Sequence, residues 1–190
     1  MKKKMNKWMI NCMCLSFIGF SMISCNNDSK DPKKLAEEHN DAKFDDSKEK
    51  DAKFLVDAAS INLEEIELSQ LAETRAVGVK AKELAKMMLD DHKKSLEEVK
   101  TLAAKKMVTL PTSLTDESQN TYNKLVEKNG NDFDKKYCEI MTEGHKSAIK
   151  EFEKEANEAT DMDIKNWASK TLPVLRNHLD HAMTCSEEYK

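Results

Sequence analysis

Four glycines, three prolines and 6% aromatic residues are all that these 190 residues offer as turn formers and large rings. So little glycine and proline leaves few points where the backbone could reverse sharply or be interrupted. Runs of β-branched residues at two-residue spacing are absent, and the expectation of a sheet goes with them. The chain also lacks a Gly-rich phosphate loop, a strand–turn–helix frame for a nucleophilic serine, and a cysteine–histidine pair in a nucleophile's setting. What it does have is 35% charged and 39% hydrophobic residues, rich in Ala, Leu, Glu and Lys, whose side chains lose little freedom in a helix. The expected fold class is all-α.

Charge is unevenly placed. Lys2, Lys3, Lys4 and Lys7 precede a charge-free apolar stretch over residues 8–23 that is too short to span a membrane comfortably. It ends in Met22-Ile23-Ser24-Cys25, which resembles the lipobox of bacterial lipoproteins: aliphatic positions, a small residue, then the cysteine that is acylated. Residues 1–24 therefore read as a lipoprotein signal peptide and Cys25 as the lipidation site, anchoring the chain to a membrane through its acyl groups. The alternatives are an ordinary signal peptide with an incidental cysteine, or an uncleaved anchor. Asn26, rather than Asp, follows Cys25, which by resemblance to enterobacterial sorting implies the outer membrane. The formal net charge of -4 becomes more acidic once four lysines leave with the signal. Such a body repels phosphate backbones, so no nucleic-acid partner is expected. Nothing in the sequence names a protein partner.

Residues 25–51 read as the acylated cysteine and a charged, mobile tether. Pro32 is placed to open a short helix there, Phe44 is a point of docking, and His39 is a solvated residue. From residue 52 onward apolar residues recur in alternating steps of three and four, predicting long helices over about 52–76, 79–107, 131–158 and 161–187. Gly78 marks the first turn. Leu110-Pro111 stops the second helix, and Thr115-Asp116-Glu117-Ser118 opens a shorter one closed by Asn129-Gly130. The domain over residues 52–187 is thus expected to be a bundle of four long helices with a short extra helix in the connection between the second and third.

Four polar residues interrupt the inward seams: Glu65, His92, His145 and His178. Glu65 lies 13 residues before Gly78 and His92 lies 14 after it, so an antiparallel hairpin sets them at one height. His145 lies 15 residues before Thr160 and His178 lies 18 after it, again nearly level. Buried imidazoles and a buried carboxylate need mutual compensation. A metal ion is one solution, since these are ligands for Zn, Fe, Mn or Cu; a closed hydrogen-bond network is the other. His181, on the flank of the seam, is a further candidate. So are Met88 and Met141, one turn before His92 and His145, whose thioethers would suit copper, although methionine at such positions is ordinarily core filler. Pro173 is expected to kink the last helix and Gly144 to let another helix approach. Cys138 and Cys185 lie 22 residues before and 25 after Thr160, close enough in an antiparallel pair for a disulfide; two buried thiols are the alternative.

Several motifs resemble the bacterial family called domain of unknown function 4142. They are Phe54-Leu55-Val56-Asp57-Ala58-Ala59, Leu63-Glu64-Glu65-Ile66-Glu67-Leu68, Met87-Met88-Leu89-Asp90-Asp91-His92, Thr109-Leu110-Pro111 and Thr171-Leu172-Pro173 with His178-Leu179. The resemblance covers about residues 51–184 and implies a ferritin-like four-helix bundle, often exported, with Glu65, His92, His145 and His178 at motif positions. Ile61-Asn62 stands where the family motif has Gly-Gly. Di-iron carboxylate bundles carry Glu-x-x-His pairs, whereas Leu89 and Leu175 precede His92 and His178 here, which disfavours a di-iron oxidase. Two readings remain: a membrane-anchored protein binding a single metal ion in the bundle core, or a non-catalytic bundle for envelope stress or partner binding whose His/Glu cluster is structural. No catalytic residue is assigned.

Overall fold

Capping residues and turn formers divide the chain into six helices with, among the described residues, no strand. The computed structural model describes residues 30–189. The expected signal segment 1–24 and Cys25 lie outside the described residues. The helices are α1 (Pro32–Asp41), α2 (Asp46–Arg75), α3 (Val79–Lys106), α4 (Asp116–Val126), α5 (Gly130–Glu158) and α6 (Met162–Glu187). None of them is long and apolar enough to cross a membrane.

Residues 32–51 are not a free spacer, which corrects the tether expectation. Asp31 accepts hydrogen bonds from the backbone of Lys33 and Lys34, and Pro32 starts α1. Asn40 is buried and makes two reciprocal bonds with the backbone of Thr109, at 2.9 and 2.8 Å. Its amide does for the 107–115 loop what a strand partner would do elsewhere, satisfying both an N–H and a carbonyl. The charged composition concealed this because the docking is polar rather than apolar. His39 is exposed. The domain boundary expected near residue 51 falls inside α2, which begins at Asp46 behind its cap Asp45.

The four long helices pack as antiparallel neighbours. The main contacts are α2 with α3 and α5 with α6, joined across by α3 with α6 and α2 with α5. Chain direction follows from the ends. The α2–α3 turn is held by Asp134 near the start of α5, whose carboxylate accepts from the backbone of Val77 and Gly78. The end of α3 meets the α5–α6 turn, where Lys106 pairs with Asp161 and Asp163. Asp51 holds that same turn through the backbone of Thr160 and Asp161. The connection containing α4 therefore returns the chain along the length of the helices, so that α5 starts beside the α2–α3 turn. Gly130, with φ of +55°, makes the reversal between α4 and α5 that a Cβ would strain.

Two separate apolar clusters fill the interior. One, toward the α5–α6 turn, is built on Phe54, Phe152 and Trp167 with Leu89, Leu96 and Leu175. Its rings meet at centroid distances of 5.0 to 5.8 Å, edge-on or tilted. The other, toward the α2–α3 turn, contains Leu68, Met88, Phe133, Tyr137, Met141 and Ala182. It also contains Cys138 and Cys185, which form a disulfide between α5 and α6 with a Cα–Cα distance of 5.7 Å. A bridge closing 47 residues contributes roughly 2–4 kcal/mol by restricting the unfolded chain. Helix α6 continues through Pro173 as one helix.

Candidate metal centre

Between the two apolar clusters lies a polar layer made of one residue from each long helix: Glu65 (α2), His92 (α3), His145 (α5) and His178 (α6). All four are at least 95% buried. The three imidazole rings stand 5.2 to 5.5 Å apart, centroid to centroid. One nitrogen from each ring falls within 4.8 Å of one from each of the others. Levels counted from the turns set these residues at one height; the packing brings the three imidazoles together, with the Glu65 carboxylate beside them against His92 Nε2 and His145 Nδ1.

Proton positions follow from the partners. Asn62 donates its Nδ2 to the carbonyl of Ala58, which leaves Oδ1 facing His92 Nδ1 at 2.9 Å. That ring nitrogen must therefore donate, and in the neutral ring Nε2 of His92 keeps a lone pair. His145 Nδ1 lies 2.9 Å from the carbonyl of Met141, a group that only accepts, so its Nε2 also carries a lone pair. His178 Nε2 donates to Asp91 Oδ2 at 2.9 Å, leaving Nδ1 with the lone pair. Each N–H thus points outward, and His92 Nε2, His145 Nε2 and His178 Nδ1 all present electron pairs to the centre.

The centre is consequently a meeting of acceptors. His145 Nε2 and His178 Nδ1 are 3.2 Å apart with no proton left for either to give. Glu65 Oε2 approaches His92 Nε2 to 2.5 Å, yet neither atom has an aligned hydrogen bond. Glu65 Oε1 lies 3.4 Å from His145 Nδ1, whose hydrogen is directed at Met141. Burial opposes charge on Glu65, but the positive charge of His145 and His92 in their protonated forms, with the close approach of His92, outweighs it and holds the carboxyl down to about 2. Burial pushes His178 down to about 4 against the pull of Asp91, and lowers His145 as well. The layer thus holds an ionised Glu65 beside His145 and His178 rings that burial holds toward the neutral form.

This arrangement makes the protein acid-sensitive in the absence of a bound cation. An unfolded histidine titrates near 6.5, whereas folded His178 does so only near 4. Across that window the unfolded chain binds more protons, so stability is full above about pH 6.5 and is lost as pH falls toward 4. Glu65, also depressed, extends the loss below its unfolded value toward pH 2. Urea unfolding in the presence of a chelator should show stability falling by about 1 kcal/mol per pH unit for each such histidine. A flat profile between those limits would contradict the assignment of neutral buried rings.

Other sequence candidates are placed differently. His181 is exposed on α6 and stands outside the cluster, because it lies three residues past His178 on the solvent flank of the seam. Met88 and Met141 are fully buried within the second apolar cluster. Met141 serves the layer through its backbone carbonyl. Gly144 does not admit a helix backbone; what approaches it is the carboxylate of Glu65. Asn62 and Asp91 were missed as partners of the rings. Asn62 could have been found from its place three residues before Glu65 on the inward side of α2. Asp91, half-exposed beside His92, gave no such signal.

The family described as "Domain of unknown function (DUF4142)" matches residues 36–185. The chain belongs to that family. No curated protein and no solved structure matches it.

Proposed function

We propose that this protein binds one divalent metal ion in the layer formed by Glu65, His92, His145 and His178. The observation that carries the reading is the convergence of three buried imidazoles, each with a nitrogen within 4.8 Å of the others, beside the buried Glu65 carboxylate and its unpaired Oε2. A carboxylate buried without a counter-charge costs several kcal/mol; a cation at the common point removes that cost and turns each mutual repulsion into a bond. The 3.2 Å separation of His145 and His178 suits two ligands of one tetrahedral ion, whose donors stand about 3.3 Å apart when bonds are about 2.0–2.1 Å. Asp91 and Asn62 then act as outer partners that fix ring tautomer and orientation. Three imidazoles and a carboxylate suit Zn, Fe or Mn, and place Cu(I), which favours sulfur, behind them. A single carboxylate, with Leu89 and Leu175 where di-iron bundles carry glutamates, supports a mononuclear site over a di-iron oxidase.

The fold is read as a ferritin-like four-helix bundle, supported by two antiparallel pairs joined through one long crossover. The protein is read as a lipoprotein held in the bacterial envelope through Cys25, with the outer membrane its expected location; the lipobox residues support this. A metal-storing or protective role in the envelope fits both. The second reading is that of a non-catalytic bundle in which an extra proton closes the His145–His178 contact and the cluster is only structural.

Titration of the chelator-treated protein with Co(II) decides between them. One equivalent per chain, bound with d–d absorption in the visible, is expected from nitrogen and oxygen ligands. Substoichiometric uptake without such bands would leave the structural reading in place.

A further inference from the structure

The polar layer is closed above by Leu89, Leu175 and Ala148 and below by Met88, Met141 and Ala182, all at most 5% exposed. Its lateral side is different. Gly144, adjacent to His145, is exposed on α5. A Cβ built there would meet one atom within 4 Å beyond its own stretch of helix, Glu65 Oε1 at 3.3 Å. The same glycine lines a groove of about 740 Å³ bordered by α2, α4, α5 and the end of α6. Between open groove and buried carboxylate there is therefore no side chain at this position.

We infer that Gly144 is the window through which small cations reach the cluster, an inference that rests on the metal-site reading. Of the four residues of the layer, Glu65 is the one whose donor atom lies behind Gly144. The groove walls carry Glu64, Glu117, Glu139 and Glu143 against Lys124 and Lys136. This excess of acid favours a hydrated cation over an anion. A side chain here would press on the Glu65 carboxylate, and glycine stands mid-helix although it weakens a helix relative to alanine.

The test is the rate of Co(II) uptake by the metal-free protein, followed by stopped-flow absorbance. Gly144→Val fills the window itself. Ser147→Trp covers the groove from its exposed wall one turn along α5 and adds nothing to the cluster. Lys94→Trp, on an exposed part of α3 outside the groove, is the control. Gly144→Val and Ser147→Trp should load at least about tenfold more slowly, as gating substitutions do. Ser147→Trp should reach the wild-type amplitude, and Lys94→Trp should match wild type throughout. Wild-type loading rates in both groove variants would overturn the window while leaving the metal site intact. Absence of a cobalt spectrum in the wild-type protein would overturn the site and the window together.

Discussion

Replacing His145 with alanine is expected to weaken binding of a divalent cation by more than about a hundredfold, the upper range for loss of an outer partner alone. The ring is fully buried and its tautomer is fixed by the Met141 carbonyl, so no neighbouring group can swing in to replace Nε2. Asp91→Ala should cost less, about ten- to a hundredfold, because His178 remains but is no longer held in the tautomer that exposes Nδ1. His181→Ala and Met88→Leu should leave affinity unchanged, since the first is exposed and the second lies in the apolar cluster. Competition titration against a chromophoric chelator measures the whole series. Equal affinity for wild type and His145→Ala would place the ion elsewhere.

The second large effect has the opposite sign. A variant carrying Asn62→Leu, Glu65→Met, His92→Leu, His145→Leu and His178→Leu should, when metal-free, be more stable than metal-free wild type. Replacing a buried ionic cluster by apolar residues of similar volume is neutral to stabilising, by about 1–4 kcal/mol. For a chain of this size that corresponds to a rise in Tm of about 2–4 °C for each kcal/mol. Asn62 is included because its Oδ1 would otherwise lose the His92 partner and remain buried and unpaired. The two apolar clusters would then merge through the former polar layer. If the cluster were there to hold the fold, the same variant would lose stability; thermal and urea unfolding with chelator present distinguish the two outcomes. The variant should also take up no metal. Fold stability and metal binding thus pull in opposite directions at this layer, as expected where buried polarity serves a ligand.

Much of this architecture is written in apolar periodicity. The seams through Leu68, Met88, Met141 and Ala182 locate the long helices, and Gly78, Pro111 and Gly130 locate the reversals. The convergence of Glu65 with the three histidines was legible because short turns make residue counts into heights. What composition concealed was polar docking. Asn40 and Asp51 are buried through hydrogen bonds to loop backbone, and a charged segment with few apolar residues carries no periodic trace of that. Ring tautomers were equally out of reach. They depend on Asn62, Asp91 and the Met141 carbonyl, whose directions are set by rotamer and packing rather than by spacing. The role of Gly144 could be half read: a missing side chain beside His145 signals a close approach, but not that a carboxylate makes it.

The central claim is that His92 Nε2, His145 Nε2, His178 Nδ1 and the Glu65 carboxylate surround one ion. X-ray diffraction from zinc-loaded crystals, with anomalous scattering recorded on both sides of the metal edge, tests it most directly. The account expects a single strong peak between the four helices, about 2.0–2.2 Å from each of those donors. A peak on the outer faces of the rings, at surface carboxylates, or no peak between the helices would contradict it.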